Sequence, residues 1–159
     1  MVVREMTRRC SYNPSKIEAL MIALDQGDGT SELRDELSED DKMVITLWDH
    51  YSRSGYLSAR ILDHLNADNL GYVDIADIRE LIDSLPPKPF KVLSIHDCFR
   101  CLPHYGNDLR KQYNRQLMLI AKSNLLSDMI SQLVGKPVQV GKLMPDLHRM
   151  IMDTNYALS

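Results

Sequence analysis

A histidine and an aspartate follow a short apolar segment in the middle of the chain. Four of the six residues at 90–95 are apolar, and three prolines within 86–89 prevent a helix from entering this segment. We therefore expect a buried β-strand, a turn at His96 and Asp97, and a second strand that ends near Leu102. Burying an ionised carboxylate is costly, so we expect the aspartate at the turn to be exposed to solvent and able to bind a divalent metal ion. Enzymes that transfer nucleotidyl groups present a metal-binding aspartate in this way, so Asp97 is the first candidate catalytic residue.

The elements that must position this turn are predicted to be mostly helical. Apolar spacing indicates helices at 14–24, at 57–65 and at 75–85, and a further helix that begins after Ser38 as its N-cap. After the hairpin, the pattern predicts one long helix at about 108–134, followed by a short helix near 146–152. The predicted fold is α+β, mostly helical, with an antiparallel hairpin at about 90–102.

Composition limits the classes of protein to which the chain can belong. With 159 residues and a net charge of −3, it has the size of one domain and lacks the basic excess of a dedicated nucleic-acid-binding protein. No stretch has the length of a membrane span and no signal peptide is visible, so we expect no membrane association and a reducing compartment, the cytoplasm. The cysteines at 10, 98 and 101 are then expected to be thiols.

The residues around the turn, Ile-His-Asp-Cys-Phe at 95–99, match a motif written His-Asp-Ser/Cys-Phe. A loop and a helix follow in register, and the last twenty residues contain Gly-Lys-Leu at 141–143 and a small apolar terminus. Together these features resemble single-subunit DNA-dependent RNA polymerases of the bacteriophage and mitochondrial type, in which the motif forms the palm hairpin called motif C. The resemblance implies that residues 86–159 comprise this hairpin, its supporting helix and a C-terminal foot. Residues 1–85 would be a helical remnant of the fingers and palm.

This resemblance implies RNA synthesis on a DNA template, in the host cytoplasm or in a virion if the chain is encoded by a bacteriophage. Asp97 would be one of two aspartates that hold the catalytic Mg²⁺ pair, and His96 would lie beside the RNA end. The family's other aspartate motif is absent from this sequence, and its fingers helix is at best truncated. We therefore expect a subunit or fragment that is inactive alone. A complementing polypeptide would supply the other aspartate and the fingers helix, and the assembled complex would bind DNA template, nascent RNA and nucleoside triphosphates.

Tyr12 is a further candidate under the same resemblance. In the family, a tyrosine at the exit of the fingers helix helps to select ribonucleotides, and the segment around Tyr12 is similar to that exit. An ordinary N-terminal tyrosine without any nucleotide contact is the alternative interpretation.

A loop at 66–77 suggests a different class of function, a small calcium-binding or helical interaction module. It resembles an EF-hand loop, with a glycine at the sixth position and no side-chain oxygen at the fifth. The candidate calcium ligands are Asn66, Asp68, Asp74 and Asp77. The alternative is a turn between helices in which Asn66 and Asp74 serve as N-caps.

The pair Cys98 and Cys101, with His96 and His104 nearby, offers a zinc site as a further alternative. Side chains three apart along a strand point to opposite faces, which favours two separate thiols instead.

Overall fold

A computed structural model describes residues 1–26, 36–96 and 98–154 of the chain. In chain order the elements are α1 (Val2–Cys10), α2 (Pro14–Gln26), α3 (Glu39–Ser54), 3₁₀ helices at Ala59–Asp63 and Ala67–Tyr72, α4 (Ile75–Asp83), β1 (Leu93–Ile95), β2 (Cys98–Arg100), a 3₁₀ helix at Pro103–Tyr105, α5 (Gly106–Lys122), α6 (Leu125–Val134) and α7 (Leu147–Asp153). The described chain is thus mostly helical with one antiparallel hairpin, which confirms the α+β prediction. Among these residues, no helix combines the length and apolar composition that crossing a bilayer requires.

The N-terminal half is built around an aliphatic core. Its largest cluster of buried side chains comes from α2, α3, α4 and the two 3₁₀ helices between α3 and α4. Ser38 caps α3 as predicted, because its hydroxyl accepts from the Asp41 N–H at 3.1 Å while Asp41 Oδ2 accepts from the Ser38 N–H at 2.9 Å. Gly55 ends the same helix with a φ of 69°, a conformation that glycine adopts without steric cost. The predicted helix at 57–65 is a 3₁₀ helix over Ala59–Asp63 only.

The prediction of one long helix at about 108–134 is wrong. The structure has two helices, α5 and α6, separated at Ser123 and Asn124. Ser123 leaves the helical conformation with a ψ of 167°, and its hydroxyl donates to the Ile120 carbonyl at 2.9 Å. The Asn124 N–H donates to the Ser54 carbonyl at the end of α3, 2.7 Å away. Serine and asparagine side chains compete with the backbone hydrogen bonds of a helix, which favours a break at these residues. The hydrogen bond to α3 determines where along the chain the break occurs.

Burial is divided unevenly along the chain. Among the described residues, every fully buried apolar side chain lies at or before Val92. The buried side chains of α5 are instead polar: Gln112, Asn114 and Gln116. On α6, Met129 is 50% exposed and Leu133 is 84% exposed. The apolar sequence of the C-terminal half is therefore not matched by apolar burial within the described chain.

A buried guanidinium joins the two halves. Arg9 on α1 is 1% exposed, and its Nε donates to Gln112 Oε1 on α5 at 2.8 Å. Its Nη2 donates to the Ser84 carbonyl at 3.1 Å and to the Ser84 hydroxyl. Gln112 Nε2 donates to the same carbonyl at 2.7 Å. Burial, reinforced by the charge of Arg115, lowers the pKa of Arg9 to about 10, yet the group stays charged at neutral pH.

Replacing this guanidinium tests its structural role. We expect Arg9→Met to lower the free energy of unfolding by about 3 kcal/mol, because the buried Gln112 and Ser84 lose a charged partner. Urea denaturation measures the change. The matched control is Arg149→Met, on the exposed side of α7, where we expect less than about 0.5 kcal/mol. Equal midpoints for the two variants would contradict the role given to Arg9.

Candidate functional site

The hairpin that carries the candidate aspartate is short and ends in a sharp bend. Leu93 pairs with Arg100, Ser94 with Phe99 and Ile95 with Cys98. His96 follows β1 directly, is exposed, and has a φ of 55°, in the left-handed region that few residues other than glycine adopt. Asp97 lies outside the described residues. The hairpin position is thus confirmed, and the strands are shorter than the predicted range of 90–102.

One face of the hairpin is anchored to the rest of the molecule. Phe90 and Val92 are buried in a small cluster with Met6 and Cys10 of α1. On β2, the Phe99 ring lies 5.6 Å from the ring of Tyr113 on α5. These contacts support the base of the hairpin from α1 and α5, and the bend projects beyond them.

Backbone hydrogen bonds tie the end of α1 to the start of the hairpin. The Phe90 N–H donates to the Cys10 carbonyl at 2.6 Å, and the Ser11 hydroxyl donates to the Phe90 carbonyl at 2.9 Å. Because Arg9 precedes Cys10 in the chain, the buried guanidinium and the hairpin base are held through the same turn of helix.

Tyr12 lies beside the chain segment that leads into the hairpin. Its hydroxyl donates to the Pro86 carbonyl at 2.8 Å, and partial burial raises its pKa. The fold therefore brings this sequence-distant residue to the hairpin side of the molecule. Its hydroxyl proton is used by a structural hydrogen bond.

A cleft lined by arginines was missed by the sequence analysis. It has a volume of about 450 Å³ and lies between α1, the end of α3 and the start of α6, with Arg4, Arg8 and Arg60 in its wall. Arg8 is 3.7 Å from the buried Glu5, whereas Arg4 and Arg60 form no ion pair within the described part of the chain. The sequence does hint at this cleft, because Arg4 and Arg8 are four residues apart. That spacing puts both side chains on one face of a helix, but only once residues 2–10 are known to be helical.

Glu5 gives this cleft a rigid wall. The carboxylate is 2% exposed, and both of its oxygens accept from the Ser58 hydroxyl, at 2.8 and 3.0 Å. Oε2 also accepts from the Ala59 N–H at 3.1 Å. The carboxylate keeps its negative charge and pairs with Arg8, so Arg4 and Arg60 are the cleft arginines left without an ion pair among the described residues.

In the candidate calcium loop, two of the four oxygen ligands act as helix caps. Asn66 Oδ1 accepts from the Asp68 N–H at 3.0 Å at the start of the Ala67–Tyr72 helix. Asp74 Oδ1 accepts from the Ala76 N–H at 2.7 Å at the start of α4. The capping interpretation of Asn66 and Asp74 therefore matches the observed hydrogen bonds. Among the described residues, Asp68, Asp74 and Asp77 do not converge as a metal-binding group.

Across residues 1–26, 36–96 and 98–154, no group of three or more histidine, cysteine, aspartate or glutamate side chains converges as a metal site. Cys98 is exposed, whereas Cys101 is half-buried beside the cluster of Met6 and Phe90. The two sulfurs thus lie on opposite faces of the hairpin, as strand alternation predicts. A magnesium pair requires several oxygen ligands, so the described residues alone do not complete such a site.

Comparisons with known proteins give no assignment: no family model matches the chain, and no curated protein matches it at a significant level.

The hairpin geometry predicts which thiol reacts first. Cys98 is exposed, whereas burial raises the pKa of Cys10 to about 12 and also raises the pKa of Cys101. At pH 8 the thiolate of Cys10 is therefore about a thousandfold scarcer than for a thiol with a pKa of 9.0. We expect iodoacetamide to modify Cys98 first, with Cys101 slower and Cys10 protected until the protein is unfolded in urea. Peptide mass spectrometry gives the three rates, and faster labelling of Cys10 than of Cys98 would contradict the described packing.

Proposed function

We propose that this chain is a subunit or fragment of a DNA-dependent RNA polymerase and contributes Asp97 as one ligand of the catalytic magnesium pair. The observation that carries the proposal is the antiparallel hairpin itself. Its bend at His96 is exposed, and its base is supported by α1 and α5. The His-Asp motif, on which the resemblance to polymerases rests, thus coincides with a hairpin turn that faces solvent.

In the proposed reaction the magnesium ions, when bound, align the RNA 3′ hydroxyl and stabilise charge on the phosphates. The chain's own contribution is positional. In the proposal, Asp97, which follows His96 in the sequence, supplies its carboxylate to the metal pair, and the imidazole of His96, at an exposed left-handed bend, lies beside the RNA end. A hairpin that is anchored at its base restricts the orientations of these groups, which lowers the entropic cost of bringing them into position for reaction.

The surface of the C-terminal half supports the idea of a complementing polypeptide. An apolar groove of about 660 Å³ runs between α5, α6 and residues 140–147, lined by residues such as Leu126, Met129 and Leu143. Leu126 and Met129 are each at least half exposed. Monomeric proteins seldom leave large contiguous apolar patches uncovered, so this surface fits a protein that works in a larger assembly.

The arginine cleft supplies a place for the negative charge of a nucleotide. Arg4 and Arg60 have no acidic partner in the described residues, and guanidinium groups bind phosphate oxygens through two parallel hydrogen bonds. The cleft lies on the side of α1 that faces away from the hairpin contacts. Within the proposal, it contributes to binding of the triphosphate. Tyr12, two residues beyond the end of α1, remains the proposed nucleotide-selecting residue.

The decisive experiment is Asp97→Asn in an enzyme reconstituted with the complementing polypeptide, for which the first candidate is the product of the reading frame immediately upstream. We expect RNA extension on a DNA template to fall by at least about a thousandfold, because the amide no longer supplies a charged magnesium ligand. The matched control is Asp146→Asn, an exposed residue near α7. Unchanged extension by the Asp97 variant would remove the basis of the proposal, provided that circular dichroism shows both variants folded.

The cleft makes a separate prediction in the same reconstituted enzyme. Arg4→Ala and Arg60→Ala are each expected to raise the KM for nucleoside triphosphates about tenfold, with kcat changed less, because each removes a charge-assisted phosphate contact worth roughly 1.4 kcal/mol. Arg149→Ala serves as the control for loss of a surface charge. A fall in kcat at unchanged KM would place these arginines outside the triphosphate site.

A further inference from the structure

The hairpin has an outer face that is apolar although nothing in the described chain covers it. Six side chains belong to this face by strand alternation and by the register of the two strands, and all of them are exposed: Lys91, Leu93, Ile95, Cys98, Arg100 and Leu102. Leu93 is 58% exposed, Ile95 59% and Leu102 63%. We call these six residues the outer face.

This pattern is unusual for a strand with one solvated side. A strand that is buried on one face only alternates apolar and polar residues, with the polar residues outward. Here Phe90 and Val92 point inward, and Leu93 and Ile95 point outward, so both faces are apolar. Such a sequence is typical of a strand that is covered on both sides. The outer face therefore has the apolar composition of a buried surface, although it is exposed in the described chain. This combination is typical of an interface.

Charge on the outer face restricts what can cover it. Lys91 and Arg100 are exposed and form no ion pair within the part of the chain that the structure describes. A second copy of the chain packed symmetrically on this face would bring these cations toward each other. Three branched aliphatic side chains also fit poorly with nucleic acid, which is usually bound by cationic and aromatic groups.

We propose that the outer face is covered by an extended segment of the complementing polypeptide whose side chains alternate between aliphatic and acidic residues. Its aliphatic side chains pack on Leu93, Ile95 and Leu102, and its carboxylates pair with Lys91 and Arg100. The inference rests on the proposed function for the identity of the partner. It adds the surface that the partner contacts, next to the turn that carries the catalytic aspartate.

Cys98 provides a native reporter for this contact. It lies on the outer face opposite Ile95, and it is the exposed cysteine among the three. Any molecule that covers the outer face must slow its alkylation. The full chain is therefore treated with iodoacetamide at pH 8 in the presence of a synthetic peptide, acetyl-Glu-Val-Asp-Val-Glu-Val-Asp-amide. The comparison peptide has lysine in place of every acidic residue.

We expect the acidic peptide at millimolar concentration to slow Cys98 alkylation at least tenfold and the lysine peptide to leave it within twofold of the free rate. The double variant Leu93→Ser with Ile95→Ser should lose the protection. The matched control, Leu133→Ser with Val134→Ser, removes two exposed apolar residues of α6 and should keep it. Reversing the charges with Lys91→Glu and Arg100→Glu should exchange the preference between the two peptides.

Several results would overturn the inference. These are absence of protection by the acidic peptide, equal protection by both peptides, and protection that survives the Leu93 and Ile95 substitutions. Protection by a single-stranded oligonucleotide in place of the peptide would assign the face to nucleic acid. Protection that grows with the protein's own concentration would assign it to a second copy. Near-ultraviolet circular dichroism confirms that each variant keeps the packing of Phe99 on Tyr113.

The peptide measurement is independent of nucleotidyl transfer. If the acidic peptide fails to protect Cys98 while Asp97→Asn abolishes RNA extension as predicted, the outer-face inference is rejected and the polymerase proposal is kept. Peptide protection combined with unchanged extension by Asp97→Asn would show an acidic partner surface on a protein with another activity.

Discussion

The fold depends on one buried cation. Arg9 on α1 reaches the end of α4 and α5, and its hydrogen bonds to Gln112 and Ser84 join the two halves of the molecule beside the apolar cluster of Met6 and Phe90. A guanidinium in this position is costly unless its donors are satisfied, so the surrounding side chains are polar and fixed. This requirement explains the burial of Gln112, and Gln116 on the same face of α5 bonds to Tyr56, whereas Asn114 lies on the opposite face and donates to the Thr154 carbonyl at 3.0 Å. The same layer contains Tyr56, whose hydroxyl donates to Gln116 Oε1 at 2.5 Å and whose pKa is raised by burial.

The polar layer has a consequence for the C-terminal half. Glutamines occupy the side of α5 that faces Arg9 and Tyr56, and no apolar residue of α5 or α6 belongs to the main core of the described chain. Leu126, Leu133 and Met129 then form surface that a protein working alone has little reason to keep. Exposure of the hairpin's outer face has a different origin, since it arises from strand alternation. Two independent causes thus leave apolar surface uncovered on the same half of the chain, which is the physical argument for a partner.

Local patterns in the sequence predicted the parts of the fold that local interactions determine. The hairpin position, the Ser38 cap and the α+β class were all available from residue types and spacing. The break at Ser123 was not, because the Asn124 N–H finds its partner in α3, which is distant in sequence. Burial of Gln112 and Gln116 on α5 was not predicted either, since periodicity assigns apolar residues to the interior and cannot foresee polar contacts with Arg9 and Tyr56. For the candidate site, Tyr12 and the hairpin were found from motifs, whereas the cleft of Arg4 and Arg60 required the fold.

The anchoring of the hairpin bears on whether this chain acts alone. A metal ligand is effective only when surrounding contacts hold it close to its productive position. Here those contacts lie at the hairpin base, through Phe90 and Phe99, and on one face only. The bend at His96 is exposed and its backbone is in a conformation that costs energy, so the described chain offers little to hold it there. Cover on the outer face would restrain the bend from its second side. A partner that brings another carboxylate to the turn would therefore also stabilise the geometry of the magnesium ligand that this chain is proposed to contribute.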